Sequence, residues 1–368
     1  MVLTGCAVSG TPQAAEIDVR TLDVGAYQTT PMSKLLISQK SLSGGTQLAI
    51  MRLADHVVLS TDIDPSLKFG AGIDPMAPGQ PPDMMPPEDW AVAGRNDVLF
   101  GVGSRGTEDD PEHNVGGMVT VYVAQFPDAD AARRTVTEFT ARPEPVALPN
   151  YPSATAHWRP EPAMLESSIA QGRYLIGITL SVPGAEPARI IDLVQRAYAR
   201  QIPLLDSLPP LSRADLQRLP NDPDDILRRT LNLGDQVKPD ANRQATYGIP
   251  GFLHFLYGDR QHWQQIVTAT GTDRFSYSYG TMMFRTRDDD GAARLQPEPL
   301  FPAYLRPADP PPILPDARCG ERAFDRPDAK RFRCTVRYHR YVAVVESNQI
   351  QDIYQRAAAQ YAVLANSR

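Results

Sequence analysis

Lysine is scarce in this chain: five residues against 32 arginines, with no basic run longer than a pair. At a formal charge of −6 and a pI near 5.6, the electrostatic footprint of nucleic-acid binding is missing, so DNA and RNA are not expected as partners. The arginine excess reads as the codon bias of a GC-rich genome rather than an anion-binding device. No stretch approaches the ~20 apolar residues that cross a bilayer as a helix. The histidines, His56, His113, His157, His254, His262 and His339, show no HExxH or HxH spacing, so no metal and no cofactor is expected. Cysteine is nearly absent, with three residues. What is plentiful is apolar material, 42% of 368 residues, enough for two folded domains. The 35 prolines predict long ordered loops.

The first cysteine ends the run Val2-Leu3-Thr4-Gly5-Cys6, which fits the bacterial lipobox. In that pattern the thiol is diacylated, a peptidase cuts before it, and the acyl chains hold a soluble body on the membrane face. Cys6 is therefore the expected lipid anchor, and the small, polar residues 7–16 the expected tether. Only five residues precede Cys6, too few for the apolar run of a signal peptide, so a start codon further upstream is expected. The other two, Cys319 and Cys334, flank the loop 320–333, and in an exported chain they are placed to bridge. A loop of this size stabilises by roughly 3 kcal/mol in the chain-entropy model.

The same order of signals occurs twice. A strand at 118–123 leads to a helix opened by Asp128; a strand at 281–286 leads to a helix opened by Asp288. Both aspartates suit N-cap positions. Further on, a strand at 173–178 and a helix at 187–201 are answered by a strand at 340–345 and a helix at 348–364. Each unit reads strand, helix, strand, strand, helix, which predicts an α+β fold of two similar halves, each a mostly antiparallel sheet with helices packed on one face. The expected division is a tether (1–16), an N-terminal domain (17–208) and a C-terminal repeat of it (209–368), with the proline-rich segment 203–220 between the halves and the helix before it stopping short of Pro203. Residues 75–87 read as an extended surface loop. Whether the halves form separate domains or share one sheet stays open.

A wider set of motifs carries a resemblance. Asp18-Val19-Arg20-Thr21-Leu22-Asp23-Val24-Gly25-Ala26-Tyr27, Met51-Arg52-Leu53-Ala54-Asp55, Asp64-Pro65, Asp222-Pro223, Arg229-Thr230-Leu231, a strand entry at 248–254 and the Cys319/Cys334 pair fall in order. The chain resembles an actinobacterial, mycobacterial or nocardial type of lipoprotein family of unknown function. The resemblance implies export, acylation and a bilobed α+β body, and it supplies no catalytic residue.

Candidate chemistry is thin. His254 and His262 flank a short segment and read as a strand-end and a helix-start histidine, each bonded locally. Gly101-Val102-Gly103-Ser104-Arg105-Gly106 suggests a phosphate loop but lacks the Lys-Ser/Thr ending and a following helix, so a strand with a glycine turn is expected; Ser104 is no nucleophile elbow. Asp62 and Asp64 read as turn residues, and Asp288, Asp289 and Asp290 as a solvated helix start. Phe275, Tyr277 and Tyr279 alternate along one strand face, more simply core than ligand platform. The expectation is a lipid-anchored, non-enzymatic envelope protein presenting a recognition surface or a cleft between its halves. The alternative is a carrier of a lipid or small apolar ligand, in a cavity lined by Phe252, Phe255, Tyr277 and Phe284. A cell-wall hydrolase would need a convergent acid/base group, which the sequence does not offer.

Overall fold

The computed structural model describes residues 17–37, 40–110, 116–139, 144–161, 163–234, 237–300, 305–323 and 329–367. Cys6 with its tether, and His113, lie outside them. The first half carries α1 (Lys34–Ile37), α2 (Leu42–Ala54), α3 (Ser60–Ile63), β1 (Phe69–Met76), α4 (Pro87–Arg95), β2 (Phe100–Thr107), β3 (Met118–Gln125), α5 (Ala129–Glu138), β4 (Thr155–Pro160), β5 (Ala163–Gln171), β6 (Tyr174–Ser181), α6 (Pro187–Asp206) and α7 (Arg213–Leu216). The second carries β7 (Gln244–Tyr247), α8 (Ile249–Phe255), β8 (Tyr257–Asp259), α9 (Arg260–Thr270), β9 (Arg274–Ser278), β10 (Thr281–Arg285), α10 (Asp289–Leu295), β11 (Leu305–Ala308), β12 (Arg318–Arg322), β13 (Phe332–Tyr338), β14 (Tyr341–Ser347) and α11 (Ile350–Ala365).

The chain builds two seven-stranded antiparallel sheets, in the orders β4-β5-β6-β3-β2-β1-β8 and β11-β12-β13-β14-β10-β9-β7, the first made of the first half's six strands and β8 of the second. Six strands correspond, β4-β5-β6-β3-β2-β1 with β12-β13-β14-β10-β9-β7, and the helices α5 and α6 correspond to α10 and α11. The fold is thus the expected α+β duplication, with the strand count between the paired helices raised from two to at least three. Local chemistry sets the helix starts. Asp128 accepts from the Ala131 amide and Asp288 from the Gly291 amide, each at 2.8 Å, satisfying an otherwise orphaned N–H.

The helices occupy both faces of each sheet rather than one. Along β3, Val119, Val121 and Val123 join the core under α6, while Tyr122 and Ala124 pack with Ala131, Ala132 and Val136 of α5. Along β14, Val342 and Val344 face Ala292 and Leu295 of α10, while Val345 packs with Ile353 and Ala357 of α11. A strand whose residues of both parities are apolar is buried on both sides. α6 also runs through Pro203 to Asp206 instead of stopping before it, its last turn held by the buried Leu205 and by Leu208 just beyond.

The halves keep separate sheets but not separate cores. One apolar cluster includes Val121, Ile176 and Tyr198 of the first half and Phe252, Phe275, Phe284 and Val342 of the second. Strand β8 crosses over to pair with β1, Phe69 opposite Asp259 and Ala71 opposite Tyr257. The start of the described chain, placed by sequence order with the first half, docks on the second. Leu22 is buried against the α11 core, and Gln351 and Gln355 donate to the Asp23 carboxylate. Interdomain movement about the linker would have to expose this shared core.

Cys319 and Cys334 lie directly opposite each other on β12 and β13 and form the expected disulfide, spanning 15 residues. Both sit beneath α11 with Ile353 and Ala357. Replacing both cysteines by serine is expected to cost about 3 kcal/mol, through lost constraint on the unfolded chain; urea unfolding of the oxidised parent and the double variant measures it.

Candidate functional site

A buried polar network lies where the halves meet. Ser104 of β2 faces the shared core, and Gly106, two residues on, leaves room beside it: a Cβ there would sit 2.1 Å from the Ser60 hydroxyl. Gly70 on the neighbouring β1 clears space in the same way, since a Cβ would lie 2.7 Å from Nε of Arg260. Into that space Arg260 extends from the start of α9, 1% exposed. Its Nε donates to the Leu253 carbonyl at 2.7 Å, Nη1 to Ser60 Oγ at 3.0 Å and Nη2 to Ser104 Oγ at 2.9 Å.

His254, also 1% exposed, completes the network. Its Nε2 lies 2.9 Å from the Val57 carbonyl, which can only accept, so the proton is on Nε2. Nδ1 then accepts from Ser104 Oγ at 2.7 Å. Burial, with the Arg260 charge next, lowers the His254 pKa to about 3; burial lowers that of Arg260 to about 9. At neutral pH the imidazole is therefore neutral and the guanidinium charged. Ser104 and His254 have the contact of a nucleophile and its base, but both are sealed, and the histidine resists taking up a proton. The geometry is that of a fastener.

A second fastener lies nearby. Asp55, at the end of α2, accepts from the amides of Gly248 at 3.0 Å and Gly251 at 2.9 Å, capping α8 across the junction. Burial raises its pKa. This explains two departures from expectation. The stretch 248–254 is a helix start rather than a strand entry, because its cap comes from the other half. The glycine-rich run 101–106 is strand β2 throughout, without a turn, because those glycines serve close packing. Correspondingly, His254 is a helix-end residue bonded across the junction rather than a locally bonded strand end.

Phe252, Phe255, Tyr277 and Phe284 do converge. Ring centroids are 5.3 Å apart for Phe252 and Phe284 and 5.2 Å for Phe255 and Tyr277, with Phe275 4.7 Å from Phe252 and Trp263 stacked 5.7 Å from Phe284. Phe252 and Phe284 are buried. The rings pack on one another as part of the shared core, with Phe255 and Tyr277 partly buried at its margin. Tyr279 leaves the strand face altogether: with Gly280 it forms the β9–β10 turn, both at positive φ.

The remaining candidates keep local roles. His262 is an exposed residue in the first turn of α9, whose amide is capped by Asp259. Asp64 accepts from the Ser66 amide and hydroxyl. No group of three or more His, Cys, Asp or Glu side chains is placed to hold a metal among the described residues, and no described helix is long and apolar enough to cross a membrane.

An open groove of about 400 Å³ lies beside the linker between the halves. Its charged lining is Lys34, Lys40, Arg218 and Arg228 against Asp222 and Asp225, a local excess of two positive charges in a chain of net charge −6. Asp222 is occupied by the amides of Leu227 and Arg228, and Asp225 by Lys34 at 3.5 Å and Arg229 at 4.0 Å. Lys40 makes no ion pair among the described residues, and Leu35 and Leu42 nearby are 76% and 45% exposed. Sequence reasoning missed this groove. Its signal was the placing of two of the five lysines within seven residues of each other.

Residues 36–221 match the N-terminal, and residues 226–367 the C-terminal, domain of DUF7373, a domain of unknown function. The chain belongs to the DUF7373 family. The family's two parts meet at the linker that borders the groove, and their division follows the two sheets except for β8, which belongs to the C-terminal part and pairs into the first sheet. Among solved structures, the extracellular domain of PknH from Mycobacterium tuberculosis is similar at 12% identity and a TM-score of 0.32, over 44% of this chain and 97% of that one. No curated protein matches the chain.

Proposed function

We propose that this DUF7373 protein is a non-catalytic recognition protein on the outer face of the cell membrane, tethered through an acylated Cys6, whose basic groove takes the anionic headgroup of a lipid. The observation that carries the binding reading is the groove: four basic side chains around an open space in an acidic protein, with exposed leucines at its side. The Cys319–Cys334 bridge supports the location, since structural disulfides belong to oxidising compartments. The sealed Ser104–His254 pair favours a binding role over a hydrolytic one. The carrier alternative draws no support from the aromatic cluster, whose rings are packed on each other.

Protein released from its anchor by Cys6→Ala should float with phosphatidylcholine vesicles containing phosphatidylglycerol and not with phosphatidylcholine alone. Each basic group near an anionic surface contributes about 1 kcal/mol. Lys40→Glu with Arg218→Glu is therefore expected to weaken binding at least about tenfold. Equal binding to both vesicle types, or no effect of the charge reversals, rejects the groove. An unmodified Met1 in protein purified from its own host rejects the tether.

A further inference from the structure

A second opening lies on the α4/α5 face of the first sheet, towards the β4 edge. Two cross-strand rows meet there: Thr155, Ser168, Gly177 and Tyr122, and beside them His157, Glu166 and Thr179. The Tyr122 ring lies across Gly177, where a Cβ would come within 1.9 Å of it, leaving the phenol hydroxyl 3.4 Å from Ser168 Oγ. The rows line a cavity of about 20 Å³, which shares Pro86, His157 and Glu166 with an open cleft of about 280 Å³ bordered also by Glu88, Glu144 and Arg159.

His157 is the anomaly. Both of its ring nitrogens are buried, and neither has a hydrogen-bond partner among the described residues. Folded proteins rarely leave such atoms unsatisfied, because each loses its water without replacement. A neutral imidazole presents one donor and one acceptor, so its missing partners must both give and take a hydrogen bond, as a hydroxyl does. The surroundings narrow the chemistry. Four carboxylates, of Glu88, Asp89, Glu144 and Glu166, line the joined openings and repel anions; Arg159, which bonds Glu166 at 3.1 Å, offers donors. An ammonium ligand would leave the imidazole N–H unanswered. A ring with neighbouring hydroxyls answers every group, and the cleft, just below the size range of drug-sized pockets, has room for one such ring while staying open at its mouth.

We propose that this cleft is a saccharide site, in which His157 and Glu166 bind neighbouring hydroxyls of a single sugar unit of a glycan. It is separate from the basic groove and independent of it. The test uses the full chain with the methyl glycosides of mannose, galactose and arabinose, read by saturation-transfer NMR and by the imidazole ¹⁵N shifts of His157. At least one glycoside should receive saturation and move the His157 signals. His157→Ala and Glu166→Gln should each weaken that binding about tenfold or more, while Lys40→Glu leaves it unchanged. Glu166→Gln keeps the side chain's size but replaces one acceptor oxygen by a donor NH2 and removes the charge, so it reads out the site even if His157→Ala fails to fold. No saturation of any of the three, unchanged binding in Glu166→Gln, or a crystal structure soaked in the glycosides in which water alone meets both His157 nitrogens would overturn the proposal.

Discussion

Acidification from pH 7 to pH 4 is expected to strip several kcal/mol of stability from the protein through one residue, His254. In the unfolded chain this histidine binds a proton near pH 6.5; in the fold it does so only near pH 3. Between those values the unfolded state holds more protons, so stability rises with pH across the window and is fully present above pH 6.5. At about 1.36 kcal/mol per unit, the shift corresponds to about 4–5 kcal/mol at most. The cause is physical. Burial strips water from an imidazolium, Arg260 repels it, and its Nδ1 would lose the Ser104 hydrogen bond on protonation. Asp55, Asp74 and Asp222, raised by burial, act in the opposite sense, each losing stability as pH rises through its window above the ordinary carboxylate value. The comparison that isolates His254 is therefore a difference. Urea midpoints of the parent and of His254→Gln, followed from pH 4 to pH 7, should show a difference that grows in the parent's favour as pH rises, the carboxylate contributions being common to both. Parallel curves would show that the imidazole does not control acid stability.

Arg260→Ala is expected to cost about 3–5 kcal/mol, the largest effect of any single truncation at the junction. The substitution leaves a cavity between β1, β2 and α8 and removes the donors to the Leu253 carbonyl, Ser60 and Ser104 together. Arg260→Lys should recover only part of the loss. An ammonium on a flexible stem cannot meet three acceptors in the planar fork that a guanidinium presents. Denaturant unfolding measures both, and a double-mutant cycle with Ser104→Ala separates the coupling from the cavity. A loss below about 1 kcal/mol for Arg260→Ala would mean that the apolar core alone joins the halves.

The contrast between what was legible and what was not follows the range of the interactions. The starts of α5 and α10 were legible because Asp128 and Asp288 cap amides three residues away. The disulfide was legible because its two cysteines close one hairpin. The helical start at Ile249 was not, since its cap, Asp55, stands 193 residues earlier than Gly248. Glycines 101, 103 and 106 signal a turn when read locally, yet they lie in a strand because Ser60, Arg260 and the neighbouring backbone need the space. The four aromatics were rightly brought together, but whether rings line a cavity or fill it depends on partners such as Phe275 and Trp263 arriving from other elements. His157 gave no signal at all. Only the pairing of β4 with β5 sets it opposite Glu166 and buries its nitrogens.

By itself, then, the sequence determined the α+β class, the duplication and its helix caps, the bridged cysteines and the acidic, arginine-rich character of the surface. These are properties of residue type and short spacing, which need no knowledge of neighbours across the fold. The tertiary structure alone decided that two sheets share one core, that β8 leaves its own half to pair with β1, that a charged arginine is sealed between the halves, and where the two open clefts lie. Each of these depends on contacts between residues far apart in the chain, and such contacts exist only once the halves have closed on each other.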